Sequence, residues 1–177
     1  MASITVLLHT ENDALRLGRA LETVYACDEI VVVDHGSRDG TVRVAREYGA
    51  RVVDARPQAS PADYRLLAKA GSVNAKVTSS GLVESAWILC LDPRESLTER
   101  LAASLFEWKA ESLRGQPSAA GAFSVFLREE TAEGWVEVPT AQTRLVPQDW
   151  NSWKGRFPAS AAAALPLEGE LLRFVFP

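Results

Sequence analysis

One run near the start of the chain constrains the fold more than any other, Glu29–Thr41 (EIVVVDHGSRDGT). Its first part, Ile30 to Val33, is continuously apolar and β-branched, which is typical of a parallel strand buried on both faces. Asp34 follows at the end of that strand, and the carboxyl ends of parallel strands are where open α/β sheets bind ligands. Asp39 then precedes an amphipathic segment, as a helix N-cap residue does. The run predicts a strand, a ligand-facing acid and a capped helix in an α/β protein.

Strand and helix signals alternate along the first part of the chain, and strand signals dominate after Gly121. We expect strands at Ile4–Leu8, Glu29–Val33, Arg51–Val53 and Ala86–Leu91, and helices at 15–24, Thr41–Tyr48, Ala62–Ala70 and Leu97–Leu113, with Ser96 or Thr98 at the last cap. The motifs FSVFLRE, WVEVP and TRLVP predict antiparallel strands. This order predicts one domain over residues 1–177, with a mainly parallel sheet, helices on both faces and a β-rich C-terminal extension.

Charge and cysteine content narrow the class of partner and the compartment. The formal net charge is −4, and acidic and basic residues are mixed along the chain, which argues against binding nucleic acid through its phosphates. The N-terminus lacks a signal-type apolar stretch, and no run approaches the ~20 apolar residues of a membrane helix. Cys27 and Cys90 have no metal-type spacing, so we expect buried thiols in a reducing cytoplasm.

Six segments, in this order along the chain, carry a family pattern. They are the Thr10–Asp13 turn (TEND), Asp28–Thr41, Ala45–Val52 (AREYGARV), Trp87–Glu95 (WILCLDPRE), Gln142–Val146 (QTRLV) and Trp153–Ala159 (WKGRFPA). Together they resemble the family 2 glycosyltransferases, which have the nucleotide-diphosphosugar transferase (GT-A) fold. The likeness is greatest to the bacterial subgroup that builds lipopolysaccharide core and related surface glycans. Asp13 replaces the usual glutamate, and His35 replaces a serine or aspartate.

The resemblance implies a protein that binds a UDP-type nucleoside diphosphate sugar and transfers the sugar to a glycan or lipid-glycan acceptor. Residues 1–95 would form the nucleotide-binding half and 96–177 the acceptor-side half, in the cytoplasm or peripheral to the inner membrane. The implied nucleotide-sugar contacts are Thr10, Glu11, Asn12, Asp34, His35, Gly36, Ser37, Asp92 and Arg94. Asp34 would accept a hydrogen bond from the base edge or a ribose hydroxyl, and the alternative is that it only forms the turn before Gly36.

Two departures from the family pattern affect the chemistry. The D-x-D pair that normally holds Mg²⁺ or Mn²⁺ is Asp92–Pro93–Arg94, and a guanidinium repels a cation that needs oxygen ligands. Asp92 is thus the sole candidate metal ligand of that motif. Arg94 either pairs with the donor diphosphate or forms a salt bridge to Asp92 or Glu95. The family's V-H-E is Phe157–Pro158–Ala159, which cannot transfer a proton, so we assign no catalytic residue.

These departures leave two functional interpretations, an active sugar transferase that works without a metal and an inactive member that serves as a binding or scaffold protein. Several residues have weaker signals. His9 and His35 are expected at the ends of neighbouring strands, but no spacing motif supports a metal cluster. Asn74 or Lys76 would represent a basic motif of the family. Trp150 and Trp153 are expected to pack in the core rather than against a sugar.

Overall fold

The computed structural model of the protein describes residues 2–67, 85–114 and 121–177. Its strands are β1 (Ala2–Thr10), β2 (Glu29–Asp34), β3 (Arg51–Asp54), β4 (Ser85–Leu91), β5 (Glu95–Leu97), β6 (Phe123–Thr131), β7 (Gly134–Pro147), β8 (Trp153–Lys154), β9 (Phe157–Pro158) and β10 (Leu165–Arg173). Its α-helices are α1 (Ala14–Glu22), α2 (Thr41–Glu47) and α3 (Glu99–Leu113), and a 3-10 helix spans Pro61–Leu67.

The main sheet is mixed and mostly parallel, as predicted. Its strand order is β3-β2-β1-β4-β7-β6-β10-β5. β3, β2, β1 and β4 run parallel to one another, and β7 runs antiparallel to both of its neighbours. β10 is parallel to β6 and antiparallel to β5. The register places Thr10 beside Asp34 at the carboxyl ends of β1 and β2. The carboxyl edge of the sheet, where the sequence predicts ligand binding, therefore contains residues from the first two strands.

Both faces of the central strands are buried. On one face, Leu8 of β1 packs in a core with residues of all three α-helices, including Leu17 and Leu105. On the other face, Val31 and Val33 of β2 pack in a second core with Tyr64 of the 3-10 helix and side chains from the 150–164 segment. In the described part of the chain the α-helices thus share one face, and the 3-10 helix covers the opposite one. The continuous apolar run of β2 predicted this double burial.

Several boundaries differ from the sequence-based expectations. Leu97 pairs with Leu171 in the sheet, so it belongs to β5 rather than to α3, whose N-cap is Thr98. The predicted strands WVEVP and TRLVP are one continuous strand, β7, and β10 was not predicted. The helix predicted at Ala62–Ala70 is a 3-10 helix up to Leu67, and its last residues lie outside the described ranges.

Two global expectations can also be compared with the structure. Cys27 and Cys90 are free thiols, and burial raises the pKa of each to about 12. Across residues 2–67, 85–114 and 121–177, every helix is too short or too polar to span a lipid bilayer.

Candidate functional site

Two turns at the carboxyl ends of β1 and β2 are locked together by side-chain hydrogen bonds. The backbone N–H of Asn12 donates to Ser37 Oγ at 2.9 Å, and the N–H of Arg38 donates to Asn12 Oδ1 at 2.8 Å. Asn12 has a φ of 56°, a left-handed conformation that asparagine tolerates better than most residues. Thr10 Oγ1 donates to Asp13 Oδ2 at 2.9 Å. These bonds hold the predicted residues of the Thr10–Asp13 turn against those of the turn that follows β2.

The carboxylate of Asp34 organises the second turn. Asp34 is 5% exposed, and its Oδ2 accepts hydrogen bonds from the N–H groups of Gly36 at 3.2 Å and Ser37 at 3.0 Å. Its Oδ1 accepts the Ser37 hydroxyl proton. Gly36 has a φ of +83°, which this tight turn requires and which favours glycine. The turn-forming role of Asp34 is therefore present, whereas its contact with a base or ribose stays a prediction.

Asp39 holds the amino ends of two helices in place. Its Oδ1 accepts from the N–H of Thr41 at 3.0 Å, and its Oδ2 accepts from the N–H of Ala14 at 3.1 Å. The hydrogen bond from the Thr41 hydroxyl is the largest cause that lowers the pKa of Asp39. The predicted N-cap position is wrong by one residue, because Gly40 is the N-cap of α2 and Asp39 reaches the helix from outside.

A pair of histidines lies between the two turns, at the ends of neighbouring strands as expected. His9 Nδ1 and His35 Nε2 are 2.9 Å apart, a hydrogen bond in which one ring donates and the other accepts. His9 is 4% exposed, and its Nε2 is buried without a hydrogen-bond partner. Burial, then the positive charge of Arg156, lowers the pKa of His9 to about 3. The His9 ring is therefore neutral near pH 7.

The charges around His35 come from both turns and from the C-terminal half. Burial and then Arg156 lower the pKa of His35, while the carboxylates of Glu11 and Asp34 oppose this shift. Glu11 itself is exposed, and its N–H donates to Asp13 Oδ2 at 3.0 Å. Within the described ranges, no group of three side chains is arranged to hold a metal ion. Because the pKa of each histidine is lowered, the pair contributes polar groups rather than positive charge to the candidate site.

The buried His9 predicts a loss of stability in acid. Its pKa is about 3 in the folded protein and about 6.5 in the unfolded chain. The unfolded chain therefore binds more protons below about pH 6.5, so the free energy of unfolding should fall progressively from about pH 6.5 towards pH 3. Urea unfolding at a series of pH values measures this slope. His9→Phe should make the slope shallower, and His35→Gln should keep most of it, because the buried ring remains. Equal slopes in all three proteins would contradict the assignment.

Arg94 occupies the position where the family has a second acid, and it binds the first one. Arg94 Nε donates to Asp92 Oδ1 at 2.8 Å, and Nη2 donates to Oδ2 at 3.2 Å. Burial alone would raise the pKa of Asp92, but the side-chain and backbone hydrogen bonds from Arg94 outweigh it and lower that pKa. Because a guanidinium engages both carboxylate oxygens, these residues do not fit Mg²⁺ or Mn²⁺. The salt-bridge interpretation of Arg94 matches this geometry.

A buried ion cluster next to Asp92 was not predicted. Glu95 is 0% exposed, and its carboxylate accepts from Arg144 Nη2 at 2.8 Å and Arg173 Nη2 at 2.7 Å. Glu95 Oε2 also accepts from the N–H of Asp92 at 2.9 Å. Arg144 donates further to the Cys90 carbonyl at 3.1 Å. The cluster ties the Asp92 loop to β7 and β10, and it therefore fixes the position of that loop.

The segment predicted to lie on the acceptor side, Trp153–Ala159, contains the short β8–β9 hairpin. Trp153 pairs with Pro158, and the Phe157 ring lies 4.0 Å from the guanidinium carbon of Arg144. Trp153 Nε1 donates to the Trp150 carbonyl at 2.8 Å, and both indoles pack against the second core, as expected. The basic-motif candidates Asn74 and Lys76 lie outside the described residues.

Comparisons with known proteins show which proteins this chain is similar to. No protein-family model matches the chain. An uncharacterized glycosyltransferase of Rickettsia felis is 33% identical over 102 residues, which are 57% of this chain and 32% of that protein. A 4,4'-diaponeurosporenoate glycosyltransferase of Staphylococcus aureus is 38% identical over 55 residues, 29% of this chain and 15% of the relative. The chain therefore spans a third or less of the length of these relatives.

The crystal structure of S. aureus TarS matches 98% of this chain and 37% of the TarS chain, with a TM-score of 0.55 and 14% identity. This likeness shows the fold, which is the predicted α/β fold of the GT-A type. The sequence relatives confirm the predicted resemblance to family 2-like glycosyltransferases. The surface-glycan subgroup stays a prediction.

Proposed function

We propose that this protein binds a nucleoside diphosphate sugar and transfers the sugar to an acceptor hydroxyl. The observation that carries the proposal is the pair of interlocked turns at the carboxyl ends of β1 and β2, joined by Asn12 and Ser37. On this proposal, Thr10, Glu11 and Asn12 line one side of the base and ribose. Asp34 to Ser37 line the other side, in a fold where ligands bind at this edge of the sheet.

Sugar transfer breaks one bond to the anomeric carbon and forms another. The bond from that carbon to the diphosphate oxygen breaks, the acceptor oxygen forms the new bond, and the acceptor hydroxyl proton passes to a base. Negative charge develops on the departing diphosphate, so the protein must supply a cation or hydrogen-bond donors there. Because Arg94 engages Asp92, we propose that no divalent cation takes this role. The proposed acceptor is a glycan or lipid-linked glycan, reached in the cytoplasm or at the inner membrane.

Calorimetric titration with UDP tests the binding step. We expect a dissociation constant below about 1 mM that changes less than about twofold between EDTA and excess Mg²⁺ or Mn²⁺, because the Asp92 carboxylate has no free oxygen for a metal. Adenosine diphosphate is the control for base selectivity. Absence of any UDP binding in either condition would contradict the proposal, and strictly metal-dependent binding would contradict its metal-free form.

A second function, binding without catalysis, is favoured by one specific observation. The segment that replaces the family's proton-transferring motif, Phe157 to Ala159, offers no acid or base, and Phe157 packs on Arg144. A protein that binds UDP-glucose but releases no UDP in a coupled assay, with or without acceptor glycans, would support this binding or scaffold role over transfer.

A further inference from the structure

We propose that Arg156, at the tip of the β8–β9 hairpin, supplies the cation that faces the diphosphate of the bound nucleotide. This inference rests on the proposed function, and it assigns to Arg156 the role that a metal ion or Arg94 would otherwise fill. Three observations carry it: the position of the hairpin tip, the way the hairpin is anchored, and the charges that surround the tip.

The hairpin geometry places Arg156 at a tip. Trp153 pairs with Pro158 and Lys154 pairs with Phe157, so Gly155 and Arg156 form the two-residue connection between β8 and β9. Arg156 is exposed. Its guanidinium is therefore accessible to a ligand rather than packed in the core.

Phe157, the residue after Arg156, anchors the tip beside the Asp92 loop. The Phe157 ring lies 4.0 Å from the guanidinium carbon of Arg144, which in turn donates to the carbonyl of Cys90 near the end of β4. Arg144 also binds Glu95, whose carboxylate accepts from the N–H of Asp92. This chain of contacts holds the hairpin tip at the carboxyl edge of the sheet, where the nucleotide is proposed to bind.

The charge of Arg156 acts on the two turns at that edge. Phe157, the next residue, packs against the second core, which contains Leu7 of β1 and Val33 of β2, so the hairpin lies on the face of the sheet that these residues line. After burial, the positive charge of Arg156 is the largest cause that lowers the pKa of both His9 and His35. The carboxylates of Glu11 and Asp34 act on the pKa of His35 with the opposite sign. In the described part of the chain, no carboxylate forms a salt bridge with Arg156. Arg94, by contrast, is held by Asp92.

The two remaining arginines of the Asp92 cluster are not free to bind a diphosphate. Arg144 is fully buried and engaged by Glu95, and Arg173 is engaged by Glu95 and Glu129. An exposed guanidinium at the site, with two parallel N–H donors, is suited to bind the oxygens of a diphosphate. Arg156 is exposed and, among the residues that the structure describes, has no salt-bridge partner, so its hydrogen-bonding capacity remains available to a diphosphate.

Calorimetric titration of UDP and UMP in EDTA tests the inference, because UMP lacks the β-phosphate. We expect Arg156→Gln to weaken UDP binding about 10- to 100-fold, the range of a charge-assisted hydrogen bond, and to remove the preference for UDP over UMP. Arg94→Gln should change UDP affinity less than about threefold, and so should Arg43→Gln, an exposed arginine on α2. Normal UDP binding by Arg156→Gln, or a larger loss in Arg94→Gln, would overturn the inference while leaving the proposed function intact.

A second readout does not depend on nucleotide binding. The pKa of His35 in the unliganded protein, followed by NMR, should rise in Arg156→Gln and stay unchanged in Arg43→Gln. An unchanged His35 pKa in Arg156→Gln would overturn the placement of the guanidinium. If the pKa rises but the wild-type protein binds no UDP, the placement is correct and the proposed function is what fails, together with the assigned ligand.

Discussion

Replacement of Glu95 by alanine is expected to lower the free energy of unfolding by about 3–5 kcal/mol. The side chain is fully buried, and it is the counter-ion of the equally buried Arg144. Its removal leaves a guanidinium in the core without a charged partner, and a buried charge without its partner is far less stable than one in water. The N–H of Asp92 also loses its acceptor, so the loop that carries Arg94 should loosen.

Unfolding in guanidinium chloride measures this change in the free energy of unfolding, and Glu129→Ala is the matched control. Glu129→Ala removes a carboxylate that also binds Arg173 but is 41% exposed, so its loss should amount to less than about 1 kcal/mol. Adding Arg144→Met to Glu95→Ala should recover part of the stability, because the double variant buries no unpaired charge. Equal effects of Glu95→Ala and Glu129→Ala would show that the buried Glu95 cluster contributes no more to stability than a half-exposed ion pair does.

The N-terminal strands could be predicted because their signals are local. The apolar run of β2 required burial on both faces, and the structure packs Val31 and Val33 on one face and Val32 on the other. The sequence predicts either Ser96 or Thr98 as the N-cap residue of α3, and the strand pairing of Ser96 decides between them. Ser96 lies within β5, whereas Thr98 Oγ1 accepts from the N–H of Leu101 as an N-cap does.

The C-terminal strands were harder to predict because their signals are interrupted. Pro139 divides WVEVP from TRLVP, but β7 continues through it at an irregularity in the pairing with β6, where Val125 pairs with Gln142 and Leu127 with Val138. Proline is tolerated at such bulges. β10 contains Pro166 and Gly169, which weaken a strand pattern, and its partner β6 is distant in sequence. Only the complete sheet shows that these residues pair.

The candidate site divides in the same way. Thr10 and Asp34 end consecutive parallel strands, so their proximity follows from chain order. The Glu95 cluster joins residues 49 and 78 positions apart, and no local pattern connects them. The position of Arg156 likewise depends on the pairing of β8 with β9. The sequence therefore predicted the two turns at the ends of β1 and β2, whereas the buried Glu95 cluster could be found only in the structure.

Gly169→Ala is expected to lower the free energy of unfolding by about 2–5 kcal/mol, combining the effects of overpacking and of a left-handed backbone. Gly169 has a φ of +95°, and a Cβ there would lie 2.7 Å from Leu101 Cα and 2.8 Å from the carbonyl carbon of Arg100, with Leu101 N closer still. These are backbone atoms in the first turn of α3, so no side-chain rotation can relieve the contact. Thr98 and Glu170 also exchange hydrogen bonds at this crossing, at 3.1 Å each.

Two other glycines separate the clash from the backbone conformation. Gly49 has a φ of +76°, and no heavy atom lies within 4 Å of a Cβ built there. Gly49→Ala should therefore lower the free energy of unfolding by about 1–2 kcal/mol through the backbone conformation alone. Gly121→Ala, with open space and no left-handed φ, should be close to neutral. Thermal and urea unfolding of the three variants give the comparison. If Gly169→Ala is no worse than Gly49→Ala, then β10 can move away from α3, and the sheet does not depend on their close contact.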